Sequence, residues 1–260
     1  MKEILNIALI QTDLVWHNAE QNRINFSMKI EKISKKVDLI VLPEMFTTGF
    51  SMNPQQVAEK MDGKTVLWMQ KKASEINSAI AGSVIIKENG EFFNRFIFVY
   101  PSGKIDYYNK RHLFSLAGED KVYTSGNEKM VIDYKGWKIC LQICYDLRFP
   151  VFTRNVENFD LLLYVANWPK PRIDAWDTLL KARAIENMCY VVGVNRVGKD
   201  ANNLEYIGHS AAYDCLGAVQ GNKIEEKECI KLVQLDKQHI EDIRSKLNFL
   251  ADSDNFKLLH

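Results

Sequence analysis

The sequence predicts an α/β fold with two sheets packed face to face and helices on the outside. Three observations carry this. Several short runs, such as Ile4–Ile10 and Asp38–Pro43, are apolar almost throughout, which suits strands covered on both faces. Longer amphipathic stretches alternate with them, giving crossover units. Elsewhere Asn89-Gly90 and Lys135-Gly136 join strand-like runs as hairpins. Mixed hairpins and crossovers, with four or so helices, are best housed as layered sheets.

The elements follow in order. Ile4–Ile10 is a buried opening strand. His17 to Lys36 is a helix, with Ile24, Met28, Ile30 and Ile33 on roughly one face. Asp38–Pro43 is the next buried strand, and Thr65 to Ile76 the next helix. Ile80 to Lys87 and Phe92 to Pro101 pair as a hairpin, and Lys104 to Asn109 adds a strand. A loop runs from Lys110 to about Gly126. Glu128 to Tyr134 and Trp137 to Ile143 form another pair. Val151 to Val156 is read as helical turns after Cys144. Asp160 to Ala166 is a strand. Asp174 caps a helix reaching Met188, with Asp177 in its first turn. Strands follow at Cys189–Asn195, His209–Tyr213 and Glu228–Leu235, then a short helix capped by Asp236. Phe249 to His260 is an apolar tail. No repeat of about 20–50 residues is present, and no linker divides the 260 residues, so one domain over 1–260 is expected.

Composition narrows the function classes. Hydrophobic residues make up 47% and charged residues 26%, and 34 basic against 33 acidic residues leave a net charge of +1. No strong field points to nucleic acid. No run approaches the ~18 apolar residues of a membrane span, and the N-terminus lacks a secretory pattern. The five cysteines are irregularly spaced without a CxxC, which fits neither a disulfide scaffold nor a zinc site and suggests the cytoplasm. The five histidines show no ligand spacing, so neither metal nor cofactor is expected.

Three polar residues stand where apolar strands stop: Glu44, Lys110 and Cys144. Strand ends are where α/β folds build sites. Each has a plain alternative: a solvated Glu, a surface Lys beside Arg111, and a small hydrophobic Cys closing a core strand. Together they supply what amide hydrolysis needs. A thiol at a sharp strand-to-helix turn can attack an acyl carbon. A carboxylate can move its proton to the departing amine, and an ammonium can hold the oxyanion.

Leu42-Pro43-Glu44-Met45-Phe46, Asn109-Lys110-Arg111-His112-Leu113-Phe114 and Gln142-Ile143-Cys144-Tyr145-Asp146-Leu147-Arg148-Phe149-Pro150, in that order, resemble the three motifs of the nitrilase (carbon–nitrogen hydrolase) superfamily. The likeness continues through Asn167-Trp168-Pro169, Ala182–Asn187 and Val194–Gly198. It implies a four-layer α-β-β-α sandwich. It makes Cys144 the nucleophile, Glu44 the general base and Lys110 the oxyanion residue. Glu119 matches an additional glutamate beside the triad, and the Tyr145 backbone N–H would be a second oxyanion donor. A homodimer is also implied, burying the segments after Cys144 and near 174–188, with the tail 249–260 exchanged between subunits.

The run Glu44–Met52, with Asn167-Trp168-Pro169 and Asn195–Gly198, is similar to the ω-amidase branch. Such enzymes hydrolyse the terminal amide of 2-oxoglutaramate and 2-oxosuccinamate, through a cysteine thioester. Another aliphatic amidase or nitrilase on the same triad, or a silent ligand-binding protein that kept the fold, remain as alternatives. Cys215 departs from the branch, which usually has Pro there, and should affect only a turn. A keto-acid amide also needs a carboxylate partner. Arg172 is the first candidate and Lys170 the second. Phe46 and Trp168 could be pocket walls or core. Asp146 and Arg148 are read as fixing the turn around Cys144 rather than touching substrate.

Overall fold

Strands buried on both faces divide their side chains between two cores, and the first strand shows it. In β1 (Ile4–Gln11), Leu5, Ile7 and Leu9 face one hydrophobic layer while Ala8 and Ile10 face another. The computed structural model describes residues 3–221 and 226–258. After β1 come α1 (Ala19–Glu31), β2 (Leu39–Val41), the single-turn α2 (Pro54–Val57), α3 (Lys64–Ile76), β3 (Ala79–Glu88), β4 (Glu91–Val99) and β5 (Ile105–Asn109). Then follow β6 (Met130–Tyr134), β7 (Trp137–Ile143), β8 (Leu161–Val165), α4 (Ile173–Asn187) and β9 (Tyr190–Val194). The chain continues through β10 (Val197–Lys199), β11 (Glu205–Ile207), β12 (Ala211–Tyr213), β13 (Cys229–Asp236) and α5 (Lys237–Leu247).

One sheet has six strands in the order β13-β1-β2-β3-β4-β5, and the other has five in the order β12-β9-β8-β7-β6. In the first, β1, β2 and β3 run parallel; in the second, β7, β8 and β9 do. The two sheets share a central layer in which Leu39, Val41, Phe96 and Phe98 meet Ile139, Leu141, Leu163 and Val192. Outside the first sheet, Phe26 and Ile30 of α1 and Val66 and Met69 of α3 cover Ile40, Ile80 and Ile97. Outside the second, Trp176, Leu180 and Ala184 of α4 cover Leu162, Tyr164 and Val191. This is the four-layer α-β-β-α sandwich the sequence implies. At Gly193 an added Cβ would lie 2.7 Å from both Trp176 and Leu180, so the absence of a side chain there lets α4 close on β9. Both hairpins form as read, with positive φ at Asn89 and Gly90 and at Lys135 and Gly136.

Several expectations need correction. The buried seam of α1 is Asn22, Phe26 and Ile30, while Ile24 and Met28 are exposed. Asn22 takes an inward position because its side chain bonds the backbone of Val15 and Thr47. No α-helix forms over the segment 151–156 directly after Cys144. Residues 144–148 make a single 3-10 turn, and Asn155 then bonds the backbone of Phe159 and Asn187, drawing those groups away from helix. Asp174 does not cap α4. The chain enters α4 from a 3-10 turn over Lys170–Arg172, so the helix starts before it. The β10–β11 ribbon was not foreseen. Cys215 does sit in a turn, closed by Gly217 N–H to Asp214 C=O at 2.9 Å. In the tail, Phe249 and Phe256 are exposed and Leu258 packs at the edge of the central layer. Leu259 and His260 lie outside the described residues.

Candidate active site

Both sheets deliver strand ends to the same place. Glu44 follows β2, and Ser83 of β3 fixes its setting, accepting from Met45 N–H through its hydroxyl at 2.8 Å and from Phe46 N–H through its carbonyl at 3.2 Å. Lys110 follows β5, its N–H bonded to the Asn94 carbonyl at 2.9 Å. Cys144 follows β7 with φ of 46°, a left-handed conformation unusual for a side-chain-bearing residue. Asp146 holds that turn. Its carboxylate accepts from Ile143 N–H and Tyr108 O–H, both at 2.9 Å, and from His112 N–H at 3.1 Å. Tyr145 lies at the start of the 3-10 turn, so its N–H has no acceptor within that turn.

Glu44, Lys110 and Glu119 are all buried, and Lys110 touches both carboxylates. Lys110 Nζ donates to Glu44 Oε1 at 3.0 Å and to the two Glu119 oxygens at 3.0 and 2.9 Å. Glu119 also accepts from Phe114 N–H at 2.6 Å. Burial favours a neutral amine at Lys110, but the charges of Glu119 and Glu44 outweigh it and hold its pKa above the ordinary lysine range. Burial raises Glu119 in spite of Lys110. Burial, and then the Glu44 charge, push the Cys144 thiol well above the usual range, against the pull of Lys110. The sulfur therefore rests as a thiol, with a carboxylate beside it able to take the proton as a bond forms.

Cys144 and Lys110 open into a cavity of about 620 Å³. Its walls come from loops after β1, Glu44, Lys110, Cys144 and Asn167, and from the β10–β11 hairpin. Trp168 is a wall, as the sequence allowed, and Arg172 lines the cavity with its guanidinium 5.1 Å from the Phe114 ring centre. Two other candidates fall elsewhere. Phe46 is fully buried in the outer layer of the first sheet, edge-on to Phe26 at 5.4 Å, because the chain turns after Glu44, with Met45 at a left-handed φ of 43°. Lys170 points away from the cavity and pairs with Glu205 at 3.0 Å on the surface. Arg148, read as a turn residue, lines the cavity with its guanidinium 5.0 Å from the Trp168 ring centre.

Sequence reading missed Asn94, and it named Asn167 only as part of a motif, without a role. Asn94, buried mid-strand in β4, donates to Glu44 at 2.8 Å and to Glu119 at 3.3 Å. The signal was available, since Asn94-Arg95 is a polar pair inside an aromatic strand. Among the described residues, no group of three or more His, Cys, Asp or Glu side chains is arranged to hold a metal ion, and no helix is long and apolar enough to cross a membrane.

The sequence profile of the carbon–nitrogen hydrolase family matches residues 6–245. The chain is 43% identical over 256 residues to omega-amidase YafV of Yersinia enterocolitica, covering 98% of this chain and 99% of that one. It is 33% identical to the 2-oxoglutaramate amidase of Bacillus subtilis, covering 95% and 96%. Among solved structures it superposes on XC1258 from Xanthomonas campestris, a CN-hydrolase superfamily protein with an arsenic adduct in its active site, with a TM-score of 0.96 and 43% identity over 99% of this chain and 100% of that one.

Proposed function

The chain belongs to the carbon–nitrogen hydrolase family, and from that premise we propose a division of labour among Cys144, Glu44, Lys110 and Glu119. The enzyme is an ω-amidase. It hydrolyses the terminal amide of short α-keto dicarboxylic monoamides, such as 2-oxoglutaramate and 2-oxosuccinamate, to the dicarboxylate and ammonia. The observation that carries the site assignment is the buried Lys110 ammonium held between Glu44 and Glu119, behind a thiol that faces the cavity.

Cys144 attacks the amide carbon as Glu44 takes the thiol proton. Lys110 and the Tyr145 N–H hold the oxyanion. The C–N bond breaks as Glu44 protonates the nitrogen, ammonia leaves, and a thioester remains. Water then attacks the thioester while Glu44 takes its proton, and the proton returns to the departing sulfur. Glu119 is a positioning residue, fixing Lys110 through two hydrogen bonds. Trp168 is a wall of the substrate site, and Arg172 is the partner for the far carboxylate. We also infer a cytoplasmic single-domain enzyme, in keeping with five free cysteines. A homodimer, with the tail exchanged, is inferred from exposed Val151, Val156 and Ile185 near the segments the family buries and from exposed Phe249 and Phe256.

The test is ammonia release from 2-oxoglutaramate, glutamine, asparagine and a simple nitrile, by wild type and Cys144→Ala. Rapid release from the keto amide, lost in the variant, is expected. Release that survives Cys144→Ala would remove Cys144 from the mechanism. Preference for another amide would move the enzyme to another branch of the family.

A further inference from the structure

The chain contains nine arginines, and the structure uses seven of them as donors to its own acceptors. Arg23 bonds Thr65, Arg95 bonds Glu88 and Asn109, and Arg111 bonds the Asn127 carbonyl. Arg154 and Arg183 bond Glu186, Arg196 bonds Asp13, and Arg244 bonds the Met188 and Phe159 carbonyls. Among the described residues, the remaining two guanidinium groups donate to no protein atom. These are Arg148 and Arg172, and both line the cavity that Cys144 opens into.

Neither side chain is loose in position. The Arg148 guanidinium lies against Trp168, and the Arg172 guanidinium against Phe114. Stacking on a ring uses the guanidinium face and leaves its in-plane N–H groups free for a ligand. The two supports are tied together, because Trp168 Nε1 donates to the Arg172 carbonyl at 2.7 Å. The other charged side chains around the cavity already have partners. Lys110 is neutralised by Glu44 and Glu119. The acidic residue in the cavity lining, Asp200, is occupied by Tyr206 O–H and by the N–H groups of Asn202 and Leu204. Two positive charges with ten unfilled N–H donors between them therefore face a space that must admit a substrate.

We propose that Arg148 and Arg172 form a two-guanidinium clamp for the α-keto acid end of the substrate, and that this clamp, rather than the triad, selects an anionic ω-amide over a neutral amide. The inference rests on the ω-amidase reading and deepens it. A planar carboxylate with an adjacent keto oxygen offers coplanar acceptors on neighbouring carbons, which two forked donors match and a single point charge does not. Arg148 follows Cys144 by four residues and Arg172 follows Asn167 by five, so each clamp arm is carried by a loop that also carries part of the reacting centre.

The experiment has two readouts. The first compares kcat and KM for 2-oxoglutaramate and for pentanamide, a neutral amide of the same chain length, in wild type, Arg148→Gln, Arg172→Gln and the corresponding Lys variants. Each Gln variant should raise KM for the keto-acid amide about 10- to 100-fold, the range for a lost charge-assisted hydrogen bond, with a much smaller effect on kcat. The Lys variants should recover part of that loss, and Lys170→Gln should behave as wild type. The second readout is calorimetric binding of 2-oxoglutarate to Cys144→Ala, with and without the two Arg→Gln changes. Arginine-dependent binding supports the clamp even if 2-oxoglutaramate proves not to be hydrolysed, which would overturn the reaction reading alone. No binding to Cys144→Ala, or unchanged KM in both Gln variants, overturns the clamp even if hydrolysis is observed.

Discussion

Asn167 holds Glu44 at two points. Its backbone N–H donates to Glu44 Oε2 at 2.8 Å, and its side-chain Nδ2 donates to the Glu44 carbonyl at 2.7 Å. The two residues come from different sheets, Glu44 after β2 and Asn167 after β8. The proposed base is therefore referenced to the sheet that carries the proposed nucleophile, since β8 pairs directly with β7.

Asn167→Ala tests that link. The N–H to Oε2 bond survives, but the Glu44 carbonyl is left buried without its donor. The expected cost is about 1–3 kcal/mol of stability, read by urea unfolding. A roughly 10-fold fall in kcat is also expected, because Glu44 is no longer fixed at its Cα end. Unchanged kcat with the stability loss would make Asn167 structural only.

Asn94 bonds both carboxylates with one amide group, and its Oδ1 has no partner among the described residues. Replacing it with Ala removes a donor to Glu119, a group that burial already pushes upward. A lost donor to the charged form moves the pKa further up. The buried cluster titrates as a unit, so the acid limb of the kcat/KM profile should move to higher pH. A fall in kcat of about 10- to 100-fold should accompany it. A rate loss that is the same at every pH would argue against a role in setting the charges.

Much of this was legible in the sequence, for physical reasons. Glu44, Lys110 and Cys144 each interrupt an apolar pattern at a strand end, and a polar residue there is visible without coordinates. The hairpin turns were equally plain, because Asn89-Gly90 and Lys135-Gly136 supply the two positive φ values the turn requires. The face of α1 was not, since Asn22 is inward for a hydrogen bond that reaches Thr47, 25 residues away. Phe46 was ambiguous because an aromatic residue beside a site residue can face either layer, and only the packing of α1 against β2 and β3 decides. Arg148 was misread for a different reason. Its neighbour Asp146 does fix the turn, and sequence adjacency suggested the same for both, whereas Asp146 is fully buried and Arg148 is exposed at the cavity.

Lys110→Ala separates catalysis from stability. Loss of the proposed oxyanion donor should cost about 100- to 1000-fold in rate. The change also leaves Glu44 and Glu119 buried without their shared cation, at a cost of about 3–5 kcal/mol. The pH dependence has a definite sign. Glu119 is raised in the folded state, so it favours folding while protonated, and that contribution is lost as pH rises through its folded value. Without Lys110 the rise is larger. The variant should therefore be closest to wild-type stability near pH 5 and furthest from it near pH 8, by urea unfolding at both.

Glu44→Gln should uncouple the nucleophile's acidity from turnover. After burial, the Glu44 charge is the largest influence keeping the Cys144 thiol protonated, and Lys110 opposes it. With Gln in place that repulsion is gone while the ammonium remains, so the thiol pKa must fall. The rate of Cys144 alkylation by iodoacetamide, followed by mass spectrometry across pH, should rise at lower pH in the variant than in wild type. Ammonia release should nevertheless collapse, because a thiolate can attack but no group remains to protonate the leaving nitrogen. Earlier alkylation together with lost hydrolysis would identify Glu44 as the proton carrier. An unshifted alkylation profile would mean that burial alone sets the thiol, and the base would have to be sought elsewhere.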